Sequence, residues 1–421
     1  MRIYLDTIEL KNYRSCIHTK IAFDKTVSAL IGPNGSGKTN ILHGILLLRK
    51  VAREEQQRQR NGEGDANFNC SLSASFSVGR KHKVQLRAKL KYTTNEKNSD
   101  EILACDQQWH LGALSQHNDW TRIPLLADFP WELLDNTIIA RQRIHDPSWY
   151  IRVGHHIQGL GNFDPNELPA IARVSKALRR FVSGTTYYSA SQFTDPSRSP
   201  IYFELEEGRL ARRPSNRGRE HLELLHDLYS MWKNERKRFD EYMAIVGKNG
   251  IGIVSDITFK ETPAPASVYN VRIGGRLVRQ MTKRLLVIPC ISIGRGVLSP
   301  NQLSEGTFKT LALVFYLMTD DSQLLLVEEP EVCVHHGLLD SLIALIKEES
   351  RRKQIMVSTH SDFVLDALRP ENVFVVKNED RQGTTVRNVR KSMAKREFEG
   401  LKTYLRESGN LGEFWRHGGL E

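Results

Sequence analysis

Between residues 67 and 93, apolar and polar positions alternate almost without a break. Leu72, Ala74, Phe76 and Val78 interleave with Ser71, Ser73, Ser75 and Ser77. After Gly79 and Arg80, Val84, Leu86, Ala88 and Leu90 interleave with Lys83, Gln85, Arg87 and Lys89. A period of two predicts a hairpin that buries one face and shows a serine row beside a basic ladder, which Lys81 and Lys91 extend. That outer face reads either as a solvated surface kept soluble by its charges or as a track for a phosphodiester backbone.

Shorter strands are predicted over 3–10, 17–23 and 27–31. Continuous apolar runs at 324–327 and 355–357 mark parallel strands covered on both faces. Helical spacing appears over 39–48, with a polar continuation through 49–60 that Gly62 and Gly64 stop. It returns over 165–182 and over one long helix, 218–246. The long helix carries a stripe of Leu222, Leu225, Leu228, Met231 and Trp232 and a basic end at Lys233, Arg236, Lys237 and Arg238. Residues 303–319 are apolar on most sides, so that helix is expected to be buried.

This order describes an α/β nucleotide-binding core split by a large insertion. The expected parts are residues 1–95, a largely helical insertion at 96–284, and residues 285–421. The insertion holds Trp109, Trp120 and Trp131 and a loop with Arg209, Arg212, Arg213, Arg217 and Arg219, a candidate hinge or mobile basic loop.

Charge and cysteines narrow the picture. The 421 residues include 60 Lys+Arg against 49 Asp+Glu, a net charge of +11. Such an excess favours a polyanionic partner, nucleic acid first, over a basic protein with no such partner. Cys16, Cys70, Cys105, Cys290 and Cys333 lie far apart with no C-x-x-C pair. They fit thiols in a reducing compartment, not a disulfide frame or a zinc site. No apolar run approaches the roughly eighteen residues of a membrane span, and no signal peptide is visible. A cytoplasmic protein with no membrane partner is expected.

Gly32-Pro33-Asn34-Gly35-Ser36-Gly37-Lys38-Thr39 is the strongest chemical signal. Set between a predicted strand and a predicted helix, it spells a phosphate-binding loop. The glycines let backbone N–H groups turn toward phosphate oxygens, Lys38 reaches the β- and γ-phosphates, and Thr39 offers its hydroxyl to Mg²⁺. The strand at 324–327 ends in Glu328 and Glu329. Alone the pair reads as a solvated strand end. Beside a phosphate loop, Glu328 is expected to hold the metal and Glu329 to orient or deprotonate the attacking water. Ser304 and Gly306 stand at a helix start, where they cap the helix and expose N–H groups to an anion. His360 follows a strand, a placement near a γ-phosphate, although a lone histidine there is more often structural. Arg14 lies in a turn between the first two strands, from which it could approach the phosphates.

Together these segments resemble the ABC-type ATPase heads of the RecF, Rad50 and OLD group, and within it the AAA15-like ATPases of bacteria. The phosphate loop matches residues 32–39, the signature motif 303–307, the Walker B strand 324–329 and the switch histidine His360. Asn12-Tyr13-Arg14-Ser15 matches the family's early Asn-Phe-Arg-Ser pattern, and the run from Glu328 to His336 resembles its Glu-Glu-Pro-Glu segment, with His336 in place of a proline. The resemblance covers about 1–95 and 285–421. It implies a P-loop NTPase head with an antiparallel β-subdomain, ATP and Mg²⁺ as cofactors, and a head-to-tail dimer or a higher assembly. Ser304 and Gly306 of one protomer would close over Lys38 of the other. The family's Mg²⁺-sensing glutamine has Gln192 as its candidate here. Glu305 stands where transporters carry glycine, and Glu328 where many relatives carry aspartate.

Long heptads and a cysteine hook are absent, which argues against a rod-forming member. The chain ends about sixty residues after His360, which leaves no room for the nuclease domain of OLD proteins. The implied function is an ATP-binding and hydrolysing subunit whose ATP-dependent dimerisation controls a separate effector, a nuclease, in antiviral defence. Septu-like, retron-associated and PARIS-like ATPases are the types it resembles. The alternatives are a RecF-like repair ATPase that binds DNA directly and the energising subunit of an ABC transporter. The basic hairpin, the long interruption and Glu305 count against the transporter.

Overall fold

The computed structural model describes the chain apart from residues 54–67, 81, 95–99, 114–119, 124–167, 207–208, 211–218, 273–275, 333, 335, 408 and 421. The chain forms two compact units. One comprises Met1–Tyr187, Asp321–Glu328 and Ser350–Glu421, and the other Tyr188–Asp320 and Glu329–Glu349.

In chain order the elements begin with β1 (Ile3–Tyr13), β2 (Cys16–Ala22), β3 (Val27–Ile31), α1 (Lys38–Arg53), β4 (Phe68–Val78) and β5 (His82–Thr94). There follow β6 (Asp100–Ala113), β7 (Trp120–Ile123), α2 (Leu168–Ser183) and β8 (Thr186–Ser189). The middle of the chain supplies β9 (Phe203–Glu206), β10 (Arg209–Leu210), α3 (Arg219–Asn234), α4 (Arg236–Val246), β11 (Asp256–Arg272), β12 (Arg276–Ile293), β13 (Gly296–Leu298) and α5 (Glu305–Thr319). The rest is β14 (Leu324–Glu328), α6 (His336–Glu349), β15 (Gln354–Thr359), α7 (Asp362–Asp366), β16 (Val373–Glu379), β17 (Gly383–Asn388), α8 (Val389–Ser392), α9 (Lys395–Glu407) and α10 (Leu411–Arg416).

Two sheets build the first unit. The antiparallel one has the order β2-β1-β4-β5-β6-β7. Its centre is the hairpin expected from the alternation, with Phe76 opposite Val84, Ala74 opposite Leu86 and Leu72 opposite Ala88. These six side chains are buried, whereas Arg87, Lys89 and Lys91 on the other face are exposed. Lys81 of the predicted ladder and the glycines 62 and 64 lie outside the described residues.

The second sheet has the order β17-β16-β3-β15-β14-β8. Here β3 pairs in parallel with β15 and β16, and β15 in parallel with β14. Every residue of β3 and β15 is buried, as is β14 up to Glu328. The continuous apolar runs are therefore central parallel strands. Gln354 joins the two sheets. Its Nε2 donates to Leu5 O at 2.9 Å and Asp24 O at 2.7 Å, and its Oε1 accepts from Leu5 N at 2.9 Å. The β1–β2 ladder begins only at Thr7 and Ala22, so this amide takes the place of a strand partner for Leu5.

Two findings correct the sequence reading of the middle of the chain. The helix expected over 218–246 is interrupted at Glu235, whose φ of −128° and ψ of 55° are not helical. Tertiary contacts set the break. Arg238 Nη2 donates to Met318 O at 3.1 Å and Thr319 O at 3.2 Å, and Tyr242 donates to Leu311 O at 3.1 Å. These bonds fasten α4 to α5. The stretch 96–284, expected to be largely helical, carries at least as much strand as helix among its described residues. Its longest strands form the β11–β12 hairpin, paired from Asp256 opposite Ser292 to Arg272 opposite Arg276. Pro263 and Pro265 obscure β11 in the sequence. They are tolerated because β11 is an edge strand of its sheet, where a missing N–H breaks no ladder. Helix α5 is buried over most of its length, as its composition predicts.

Candidate functional site

The strand order of the first unit gathers three segments that are distant in sequence. The phosphate loop follows β3, His360 follows β15 and Glu328 ends β14. The three strands are adjacent and parallel, with Thr359 beside Ile31 and Glu328 beside Ser358. Their C-terminal ends lie along one edge, the place where open α/β sheets bind ligands.

Gly35 and Gly37 have φ of 78° and 103°, a conformation that side chains disfavour. A Cβ on Gly37 would lie 2.0 Å from Thr384 Oγ1, so this position also needs glycine for space. Asn34 and Gly35 are exposed, whereas Ser36 and Lys38 are buried. The Lys38 ammonium donates to Gly32 O at 2.8 Å and Pro33 O at 3.1 Å. Lys38 opens α1, and the first N–H groups of a helix have no intrahelical acceptors.

The Thr39 hydroxyl donates to Glu328 Oε1, and the Tyr187 hydroxyl donates to Glu328 Oε2. The carboxylate is thus held on both oxygens. The arrangement suits a nucleoside triphosphate with Mg²⁺. Ser36 Oγ is buried with no hydrogen-bond partner among the described residues. Thr39 and Glu328 together offer hard oxygen donors, of the kind that bind Mg²⁺ alongside nucleotide phosphates.

Arg14 adopts a left-handed φ of 49°. Its Nη2 pairs with Asp100 Oδ1 at 3.0 Å and its Nη1 lies 2.8 Å from His43 Nδ1. Asp100, buried at 5% exposure, also accepts from Tyr13 at 2.5 Å and Thr94 at 2.9 Å. Burial first, and then the Arg14 charge, hold the His43 imidazole below its ordinary pKa. His360 is exposed.

The second unit holds the other predicted residues. Ser304 caps α5, its Oγ accepting from Thr307 N at 3.3 Å, and it is exposed at the helix N-terminus with Gly306 two residues on. Glu305 pairs with the buried Lys309 at 2.7 Å. Gln192 Oε1 accepts from Ser189 N at 3.4 Å in a capping box. Glu329 has a φ of 46°, left-handed for a residue with a Cβ, which costs about 1 kcal/mol and marks a constrained position.

Sequence reasoning missed Tyr187, His43, Asp100 and Thr384. Each acts through a contact across a large sequence separation, and none belongs to a recognisable spacing. Tyr187 was visible only as the first residue of the Tyr-Tyr-Ser segment ahead of Gln192.

Two family models match the chain. Residues 3–113 match one described as "AAA ATPase domain", and residues 189–366 match one described as "AAA domain, putative AbiEii toxin, Type IV TA system". Among curated proteins, the DNA replication and repair protein RecF of Bacillus pumilus is 39% identical over 46 residues, and that of Lactobacillus johnsonii 48% identical over 46 residues. Each match spans 11% of this chain and only 12% of the relative. The chromosome partition protein Smc of Chlorobaculum tepidum is 48% identical over 44 residues, 10% of this chain and 4% of that protein. The SMC head domain of Thermotoga maritima aligns over 92% of this chain and 99% of its own, at 14% identity and a TM-score of 0.42. That likeness is too low to add to the strand order. The phosphate loop lies inside one matched segment, and the helix capped by Ser304, the acid-tipped strand and His360 lie inside the other, so over both stretches the chain is similar to AAA-type ATPase domains.

Proposed function

We propose that two copies of this ATPase clamp ATP between them and that the clamp controls a separate effector, a nuclease, in antiviral defence. The observation that carries the nucleotide chemistry is the bond from Thr39 to Glu328, 289 residues apart in sequence and joined beside the phosphate loop. Lys38 and the loop N–H groups would neutralise the phosphates, and Thr39 and Glu328, with Gln192, would hold Mg²⁺, which supplies charge stabilisation when bound. Glu329 would take a proton from the attacking water, and His360 would hydrogen-bond the γ-phosphate. Ser304 and Gly306 of the second copy would present the start of α5 to that same phosphate, completing the charge neutralisation that dominates phosphoryl transfer.

The effector and the defence role are carried over from the resemblance of the motif set to ATPase subunits of anti-phage systems. The local RecF matches and the exposed Arg87, Lys89 and Lys91 favour a second reading, a repair ATPase that binds DNA itself. Native mass spectrometry of the protein expressed with its genomic neighbours separates the two. Co-assembly with a nuclease supports the first, and no partner together with ATP-dependent DNA binding supports the second. Glu329→Gln should keep nucleotide and lose at least about a hundredfold in turnover. Equal turnover by variant and wild type would remove Glu329 from its role.

A further inference from the structure

The Glu328 carboxylate sits at the end of a flexible side chain, whose torsions must be fixed before it can be presented to a ligand. Tyr187 is placed to fix it. Its hydroxyl donates to Oε2 while Thr39 takes Oε1. The strand that carries it, β8, lies next to β14 in the sheet, and the hydroxyls of Thr186 and Ser322 meet at 3.0 Å alongside. The Tyr187 ring is braced in turn. It meets His43 edge-on at 5.7 Å and 75°, and His43 leans on Arg14, which pairs with the buried Asp100. All these residues belong to the first unit.

We infer that Tyr187 is a positioning residue which presets the Glu328 carboxylate for a divalent cation, with His43, Arg14 and Asp100 holding its ring in place. The inference rests on the metal role proposed for Glu328. Removing one hydrogen bond to a charged group should weaken cation binding about tenfold. A methylene shorter, an aspartate carboxylate loses the reach to the hydroxyl, so the tyrosine should then cease to matter.

The test is Mn²⁺ affinity, read by electron paramagnetic resonance with a non-hydrolysable ATP analogue present, in wild type, Tyr187→Phe, Glu328→Asp and the double variant. The expected result is about a tenfold loss from Tyr187→Phe in the wild-type background and less than twofold in the Glu328→Asp background. Fluorescent ATP binding in EDTA should be the same for wild type and Tyr187→Phe. An equal loss in both backgrounds, or none in either, overturns the inference. Failure of the wild type to hold the analogue at all would overturn the nucleotide reading beneath it. If Tyr187→Phe melts early, His43→Ala, which keeps the hydroxyl but frees the ring, should give a partial loss, and wild-type Mn²⁺ affinity there would count against the relay.

Discussion

At the scale of single residues, Gly37 is the position with the least freedom. Its φ of 103° and the lack of room for a Cβ beside the Thr384 side chain act together, so Gly37→Ala should destabilise the protein by about 2 kcal/mol or more and abolish nucleotide binding. Chemical denaturation and fluorescent ATP titration check both effects. Adding Thr384→Gly should recover the part due to the clash and leave the part due to φ. His221, buried at 2% exposure between Phe193 and Phe308, has its pKa lowered chiefly by desolvation. Its folded pKa lies below the unfolded value, so its contribution to stability is full above about pH 6.5 and is lost as pH falls below that. The fall in unfolding free energy between pH 7.5 and 5.5 should therefore be smaller in His221→Phe than in the wild type.

Among elements, the strands and pairing of the β4–β5 hairpin were legible, because period two is a local property of the chain, but Ser75 and Ser77 of the expected outer row are buried, bonded to Thr7 and Asp6. Its polar face carries a prediction. Replacing Arg87, Lys89 and Lys91 by Ser should weaken nucleic-acid binding and reduce the slope of log affinity against log salt by about 2–3. An unchanged slope would assign the ladder to solubility alone. The single helix over 218–246 and the helical insertion were misread for complementary reasons. The apolar stripe of α3 runs on into α4 without a local break signal, and the bonds that redirect α4 come from α5. The prolines of β11 mask a strand that only its edge position permits.

For the whole molecule, the central expectation is a site completed in trans. Ser304→Arg should leave nucleotide binding intact, because Lys38 stays in place, yet abolish nucleotide-dependent dimers and turnover. Lys38→Ala should abolish binding. Mixed together, the two inactive variants should regain activity, since a mixed pair has one interface with Lys38 from one copy and Ser304 from the other. A mixture as inactive as its parts would show that each copy works alone.

The sequence by itself determined the phosphate loop, the acid-tipped strand, the capped signature helix and the parallel character of the central strands. Each of these is written in neighbouring residues through spacing and apolar periodicity. Only the tertiary structure decided that Tyr187 grips Glu328, that Arg14 is engaged by Asp100, that Thr384 closes over Gly37 and that Gln354 substitutes for a strand. Such contacts depend on which chain segments the sheets bring together, and no local pattern of residues encodes a partner so far along the chain.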